Sequence, residues 1–188
     1  MGSAWDETGG GPGLVHIYCG DGKGKTTAAA GLALRALAHG YKVVFAQFLK
    51  NGGSGEAVLL SRLPGATVIA SEKLDKFSFA MSEDEKRACR EIHADIFGRA
   101  AELCASGRCD ILVLDEIIPA VNTGLFDEGR LIGFLKNSPP RRPPQIEVVL
   151  TGRDPSRELI ALADYVSDIK KLKHPYDRGV TARAGIEL

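Results

Sequence analysis

The most informative stretch of this sequence is Cys19-Gly-Asp-Gly-Lys-Gly-Lys-Thr-Thr27, which follows an apolar run and precedes a helical pattern. Its glycines allow successive backbone N–H groups to curl around phosphate oxygens. Lys25 adds a mobile positive charge, Thr26 offers a hydroxyl group to Mg²⁺, and the following helix points the positive end of its dipole at the anion. A cysteine stands at the first position, where glycine is usual, so the next two glycines supply the flexibility. This strand–loop–helix context predicts a nucleotide phosphate site.

Apolar runs rich in β-branched residues alternate with longer helical patterns along the rest of the chain. These runs predict strands at Val15–Tyr18, Val43–Phe48, Thr67–Ala70, Ile111–Leu114, Glu147–Leu150 and Tyr165–Ile169. Helical spacing, with Gly40 and a Ser82/Glu85 capping box as end signals, predicts helices at Lys25–His39, Ser82 to about Ser106, Glu128–Lys136 and Ser156–Ala163. The alternation implies βαβ crossovers. We therefore predict an α/β, P-loop NTPase-like fold whose mainly parallel sheet has about six strands and helices on both faces.

The second half of a phosphate site is predicted at Ile111-Leu-Val-Leu-Asp-Glu116. An apolar strand that ends in aspartate can hold Mg²⁺, directly or through water, beside bound phosphates. Asp115 is therefore a candidate metal residue. Glu116 has three interpretations that spacing alone does not separate: it orients an attacking water, it ligates the metal through water, or it supports the loop.

Other charged and polar residues follow predicted strand ends, where ligands bind in parallel sheets. Arg153, in Thr151-Gly-Arg153, either clamps a polyphosphate oxygen or a substrate carboxylate or amide, or it forms a surface salt bridge. Gln47 and Lys50 lie beside the end of another predicted strand, and for them the same two interpretations stay open, a ligand contact or a surface interaction. Lys23 either faces phosphate or is solvated.

Composition excludes several classes of protein. The chain has 188 residues, close to the usual ~150-residue domain, and we expect one domain over residues 14–188 after a disordered leader at 1–13. Its 24 Lys and Arg balance 24 Asp and Glu, so neither nucleic acid nor a membrane surface is an expected partner. We find no apolar run long enough to span a membrane and no secretory signal. The four cysteines lack metal-site spacing, so we expect buried free thiols and a cytoplasmic location.

From about Leu14 to Leu188, the sequence resembles the P-loop type of corrinoid adenosyltransferase, which adenosylates cob(I)alamin. The matching stretches are Gly20–Thr27, Gln47–Lys50, Val113–Ile117, Leu150–Arg153, Ala163-Asp164, Lys173–Gly179, Ala182-Arg183 and Gly185–Glu187. The phosphate loop alone is generic, whereas the arginine loop and the C-terminal stretches together are specific to this family.

The resemblance implies a reaction at the ribose 5′ carbon of ATP. The reduced Co(I) centre of a corrinoid is the nucleophile, and inorganic triphosphate leaves. The implied ATP-binding residues are Gly20, Asp21, Gly22, Lys23, Gly24, Lys25, Thr26, Thr27 and Arg153. The implied catalytic residues are Lys25, Thr26 and Glu116, and those implied to hold Mg²⁺ are Thr26, Asp115 and Glu116. The family is typically homodimeric, and Co(II) must first be reduced by an electron donor such as a flavoprotein.

The corrinoid contact implied by the resemblance is Phe77-Ser-Phe79. This segment is similar to a Gly-Phe-Thr-Trp stretch of the family, whose aromatic residues lie near the corrin face and help remove the lower axial ligand. Phenylalanine replaces tryptophan at position 79, and Lys76 stands where glycine is usual. On periodicity alone, Phe77 and Phe79 are expected to be core residues.

Family members often begin with a longer N-terminal helix that folds over the site. Because the leader here is a glycine-rich stretch of about a dozen residues, we expect a corrinoid cavity that is more open or is closed by a partner subunit. Two other functions remain open at this stage. One is a phosphoryl-transferring ATPase or kinase, and the other is a nucleotide-gated corrinoid-binding module without turnover.

Overall fold

The computed structural model describes residues 13–50, 52–71, 81–137 and 145–187, and within them six strands form one sheet. The strands are β1 (Val15–Cys19), β2 (Val43–Gln47), β3 (Ala66–Ile69), β4 (Ile111–Asp115), β5 (Glu147–Thr151) and β6 (Tyr165–Asp168). They pair in parallel throughout, in the order β3-β2-β4-β5-β1-β6. Each predicted strand is confirmed, with bounds within one residue at either end.

Helices connect the strands. They are α1 (Lys25–Ala38), α2 (Gly55–Leu60), α3 (Glu83–Ala105), α4 (Ile117–Asn122), α5 (Glu128–Asn137) and α6 (Arg157–Leu162), and a 3₁₀ helix covers Pro175–Arg178. The four predicted helices are confirmed as α1, α3, α5 and α6. The sequence did not predict α2 and α4, because each has only six residues and shows little periodicity. Pro119 falls in the first turn of α4, where proline is tolerated.

The predicted end signals of the two long helices are also present. The Ser82 Oγ accepts a hydrogen bond from the Glu85 N–H at 3.3 Å, and the Glu85 carboxylate accepts one from the Ser82 N–H at 2.8 Å. This capping box satisfies backbone donors that have no partner within the helix. At the end of α1, Gly40 adopts a left-handed φ of 81°, which suits glycine after a helix.

Successive residues of the central strands contribute to two separate hydrophobic cores, one on each face of the sheet. In β2, Val44 and Ala46 pack into the core formed with α3, whereas Val43 and Phe45 pack into the core formed with α1. Alternation of this kind follows from the two-residue period of a strand. The buried face of α1 is made of alanines, which let the helix lie close to the sheet: Ala29, Ala30, Ala33 and Ala36. Helices therefore cover both faces, as predicted.

Because every strand runs in the same direction, the strand ends meet at one edge of the sheet. The last residues of β1, β2, β4 and β5 are Cys19, Gln47, Asp115 and Thr151. The strand order places β5 between β1 and β4, so Thr151 lies between the loop that follows β1 and the acidic end of β4. This edge is where parallel sheets bind ligands.

The four cysteines are buried and free, as expected from their spacing: Cys19, Cys89, Cys104 and Cys109. In the part of the chain that the structure describes, no helix has both the length and the apolar character needed to cross a membrane. Apart from Gly13, the predicted leader lies outside the described residues, and so do Phe77 and Phe79.

Candidate functional site

The loop between β1 and α1 has the geometry of an anion-binding turn. Gly24 caps α1 with a left-handed φ of 117°, and the first turn of α1 contains no acidic residue. The free N–H groups and the positive dipole end of the helix are therefore available to an anion. Lys25 Nζ donates to the Gly22 carbonyl oxygen at 2.7 Å, so its ammonium group lies over the loop. Partial burial lowers the pKa of Lys25, and the charge of Arg153 lowers it further.

Close approach of the chain after β6 explains the glycine at position 22. The Gly22 N–H donates to the Ile169 carbonyl oxygen at 2.7 Å, and a Cβ at Gly22 would lie 2.6 Å from that oxygen. The neighbouring Asp21 carboxylate accepts a hydrogen bond from the Lys171 N–H at 2.9 Å, which lowers the pKa of Asp21. Asp21, a predicted ATP-binding residue, therefore ties the loop to the C-terminal segment.

Asp115 lies at the centre of a polar cluster at the end of β4. Its side chain is fully buried and accepts four hydrogen bonds. The donors are Thr26 Oγ1 at 2.8 Å, Thr151 Oγ1 at 2.8 Å, Gln47 Nε2 at 3.0 Å and Lys50 Nζ at 2.9 Å. Burying a carboxylate costs free energy unless it is hydrogen-bonded, and these four donors meet that requirement. The structure thus brings together Thr26 and Asp115, which the sequence analysis proposed as a pair.

Glu116 adopts a conformation that is unusual for a residue with a side chain. Its φ is 62°, in the left-handed region, and its N–H donates to Thr151 Oγ1 at 2.9 Å. Such a conformation costs on the order of 1–3 kcal/mol and is typical of functional sites. Its carboxylate oxygen lies 3.9 Å from Lys50 Nζ. Burial raises the pKa of Glu116, and the neighbouring Asp115 charge raises it further, while Lys50 opposes both effects.

Arg153 reaches the phosphate loop from the end of β5. Its Nη2 lies 3.5 Å from the Asp21 carbonyl oxygen. The preceding Gly152 has a φ of 148°, and a Cβ there would lie 2.6 Å from Ile118 Cβ, so α4 packs directly against this turn. Two side-chain cations, those of Lys25 and Arg153, are therefore close enough to repel each other beside the loop. A polyanion is the ligand that would relieve this repulsion.

Sequence reasoning did not assign four residues of this cluster. Gln47 and Lys50 were left between two interpretations, and Thr151 was quoted only as part of a motif. Ser54, whose Oγ accepts a hydrogen bond from Gln47 Nε2 at 3.1 Å, was not predicted. Lys50 and Thr151 do follow or end predicted strands, which was the available signal. The two phenylalanines expected at the corrinoid contact, Phe77 and Phe79, lie outside the described residues.

The cluster fits a hard divalent cation. Thr26 Oγ1 and the carboxylates of Asp115 and Glu116 are oxygen ligands, and the Lys50 ammonium group lies among them as a stand-in cation. Across the described ranges, no three His, Cys, Asp or Glu side chains lie close enough to enclose a metal on their own. Mg²⁺ usually takes one or two carboxylates and completes its shell with substrate phosphates and water. The residues present match that requirement.

Comparison with known proteins extends these observations. A profile of the family described as ATP:corrinoid adenosyltransferase BtuR/CobO/CobP matches residues 12–188. The corrinoid adenosyltransferase of Escherichia coli (strain K12) is 34% identical over 176 residues, which cover 93% of this chain and 85% of that protein. A corrinoid adenosyltransferase from a Sinorhizobium species is 33% identical over 178 residues, covering 94% of this chain and 80% of the relative.

A solved structure supports the fold. ATPases 2 and 3 of EssC from Geobacillus thermodenitrificans superpose with a TM-score of 0.50 at 15% identity. The match covers 94% of this chain but 36% of the longer EssC chain, and at this identity it concerns the architecture alone. It is consistent with the predicted P-loop NTPase-like sheet.

Because the family profile spans nearly the whole sequence, including every strand that ends at the polar cluster, the chain belongs to the ATP:corrinoid adenosyltransferase family.

Proposed function

We propose that this protein transfers the 5′-deoxyadenosyl group of ATP to the Co(I) centre of a corrinoid and releases inorganic triphosphate. The observation that carries the proposal is the contact between Thr26, at the start of the phosphate-loop helix, and the buried Asp115 in a chain of this family. That contact brings the two predicted halves of a phosphate site into one cluster. In this proposal the cluster stabilises the triphosphate leaving group.

The proposed reaction needs no general base. The Co(I) electron pair forms a bond to the ribose 5′ carbon, the bond from that carbon to the triphosphate oxygen breaks, and its electron pair leaves with triphosphate. No proton is removed from the nucleophile. The main requirement is stabilisation of a highly charged anion, and each well-placed donor contributes on the order of 3 kcal/mol to such a step.

Groups around the loop are suited to that task. We assign triphosphate binding to the loop from Gly20 to Thr27, with Arg153 reaching it from the adjacent strand end. Lys25 supplies the charge closest to the loop carbonyls. Charge-assisted hydrogen bonds of this type are roughly twice as strong as neutral ones. The two cations support a polyphosphate as the bound group.

We assign Mg²⁺ to Thr26, Asp115 and Glu116, because these residues present the oxygen ligands of the cluster. When bound, the ion would neutralise part of the triphosphate charge. Glu116 is then a metal residue, since a reaction at carbon requires no oriented water. Thr151 and Gln47 hold the Asp115 carboxylate in place by donating to its two oxygens.

The corrinoid side of the reaction rests on family resemblance. We propose that Phe77 and Phe79 form an apolar wall that favours a four-coordinate Co(II), which is easier to reduce, and that a flavoprotein or similar donor supplies the electron. We further propose that residues 14–188 act as one cytoplasmic domain and that the protein is a homodimer. The six-stranded sheet that runs through the described residues supports the single domain.

Product analysis tests the proposal. The protein is incubated in the dark with chemically reduced cobalamin, ATP and Mg²⁺, and the products are separated. We expect one triphosphate for each light-sensitive cobalt–carbon bond. ADP and orthophosphate in step with turnover would instead indicate phosphoryl transfer. A shifted corrinoid spectrum without an alkylated product would indicate a binding module.

A further inference from the structure

Lys50 lies three residues beyond the end of β2, beside the polar cluster. Its Nζ lies 2.9 Å from Asp115 Oδ2, 3.2 Å from Thr26 Oγ1 and 3.9 Å from the nearer Glu116 oxygen. Its side chain is 31% exposed, whereas that of Asp115 is completely buried. The ammonium group therefore lies at the surface end of the cluster, between the buried acid and the solvent.

The backbone before Lys50 is held on two sides. The Phe48 N–H donates to the Asp115 carbonyl oxygen at 2.9 Å, and the Leu49 N–H donates to His93 Nε2 at 3.1 Å. Leu49 has a left-handed φ of 54°, so the chain turns sharply just before the lysine. Non-glycine residues keep this conformation only where surrounding contacts impose it. The position of Lys50 is thus built into the fold.

The oxygens around Lys50 are the same atoms that the proposed function assigns to Mg²⁺. An ammonium group and a divalent cation repel each other strongly at contact distance, so both cannot occupy this space. A bound triphosphate favours Mg²⁺ over the ammonium group at these oxygens, because the phosphate oxygens offer the long lysine side chain a second set of acceptors nearby. Lysine is well suited to such a change of partner, since its charge sits on a flexible four-carbon stem.

We infer that Lys50 is a tethered cation that competes with Mg²⁺ for Thr26, Asp115 and Glu116, and that it transfers its contacts to the triphosphate when the metal enters. The inference rests on the proposed function for the identity of the two ligands. Because Lys50 leaves these oxygens when a triphosphate binds, Mg²⁺ should bind more tightly in the presence of nucleotide. Lys50 is then an additional triphosphate-binding residue.

The test measures Mn²⁺ binding by electron paramagnetic resonance, first without nucleotide. Lys50→Met keeps the length of the side chain but removes its charge, and we expect Mn²⁺ to bind about tenfold more tightly than in the wild type. Lys50→Arg keeps the charge and should bind Mn²⁺ as the wild type does. Lys42→Met is the matched control. Lys42 immediately precedes the first residue of β2, at the end of the strand away from the cluster, and its Nζ donates to the Gly107 carbonyl oxygen at 3.1 Å.

The same variants are then titrated with the Mn²⁺–ATP complex. Here Lys50→Met should bind about tenfold more weakly, because one charge-assisted contact to the triphosphate is lost. A purely structural role for Lys50 would weaken both titrations, whereas competition changes them in opposite directions. Asp115 retains three other donors in Lys50→Met, so we expect the variant to fold. If thermal melting shows that Lys50→Met does not fold, Lys50→Gln is used in both titrations instead.

Unchanged or weaker binding of Mn²⁺ alone by the uncharged variant would overturn the inference. Unchanged Mn²⁺ binding in Asp115→Asn would also overturn it, because the metal would then bind elsewhere. Neither result depends on adenosyl transfer, which the dark product assay of the wild type measures separately. Failure of the proposed reaction and failure of the Lys50 assignment are therefore distinguishable.

Discussion

At the scale of single residues, steric contacts and backbone conformation determine which side chains the site can contain. Gly22 is required because a side chain there would meet the Ile169 carbonyl oxygen, and Gly152 because one would meet Ile118 on α4. Glu116 bears a left-handed backbone without being glycine, and a hydrogen bond to Thr151 holds it there. Local strain of this kind directs two consecutive carboxylates toward one ammonium group.

Replacing Lys25 by alanine removes the charge that lies over the phosphate loop. We expect the rate of ATP-dependent corrinoid alkylation to fall by about 10²–10³-fold, the usual loss for one transition-state donor. Corrinoid binding, followed by spectral titration, should remain largely intact. Lys42→Met controls for the change in net charge. Near-normal alkylation in Lys25→Ala would show that the loop does not bind the leaving group.

Replacing Phe79 by alanine tests the proposed corrin wall. We expect a slower reduction of Co(II), because water regains access to the axial position, with a smaller effect on alkylation by chemically reduced Co(I). The two steps are measured separately, starting from Co(II) with a reductant and from Co(I) prepared beforehand. Equal losses in both assays would remove the role proposed for this ring.

At the scale of elements, His93 connects three segments that surround the site. It projects from α3, is fully buried, and its Nε2 accepts the Leu49 N–H after β2. Its Nδ1 lies 3.1 Å from the Leu125 carbonyl oxygen, which assigns the ring proton to that nitrogen. The ring therefore holds the segment after β2 that leads to Lys50. Burial lowers the pKa of His93, while the hydrogen bond to Leu125 partly opposes this effect.

Replacing His93 by glutamine should lower the free energy of unfolding by about 1–3 kcal/mol near neutral pH, because buried hydrogen bonds are disturbed. This difference should shrink as the pH falls below about 6.5. The pKa of His93 is depressed in the folded state, so the unfolded chain binds more protons and the wild type alone loses this contribution on acidification. Urea unfolding of both proteins across this range measures it. A difference independent of pH would contradict a neutral buried histidine.

At the scale of the whole molecule, the C-terminal segment and the phosphate loop form one structural unit. Strand β6 pairs with β1, and the chain beyond it meets the loop at Gly22 and Asp21. Further along, Glu187 accepts hydrogen bonds from Arg183, which lower the pKa of Glu187 to about 2. The contacts at Gly22 and Asp21 thus couple the C-terminal segment to the loop.

Replacing Asp21 by alanine should release this segment. We expect trypsin to cleave several-fold faster after Lys171 and Lys173, because local opening no longer breaks the hydrogen bond to the Lys171 N–H. Asp21→Asn keeps an acceptor oxygen and should be cleaved like the wild type. In the control variant, Asp177→Ala, the carboxylate that contacts the Lys171 side chain is lost but the loop contact is kept. Mass spectrometry of timed digests measures the rates, and equal rates in the alanine variants would refute the coupling.

Local sequence patterns were sufficient for the strands, the long helices and the choice of Thr26 and Asp115 as candidate site residues. Strand and helix periods, capping boxes and glycine turns lie within a few consecutive residues, so their signals do not depend on distant parts of the chain. The same reasoning missed α2 and α4, which are too short to show a period. Glu116 was placed at the site, but its left-handed backbone was not anticipated.

Contacts between residues far apart in the chain depended on the order of the strands. Thr26 and Asp115 are separated by 89 positions, and Lys50 and Thr151 join them because β2 and β5 flank β4. No local pattern specifies that order, since any parallel arrangement buries the same apolar strands. The candidate phosphate-binding residues could therefore be identified one by one from the sequence, whereas the placement of Lys50 beside Thr26, Asp115 and Glu116 required the folded sheet.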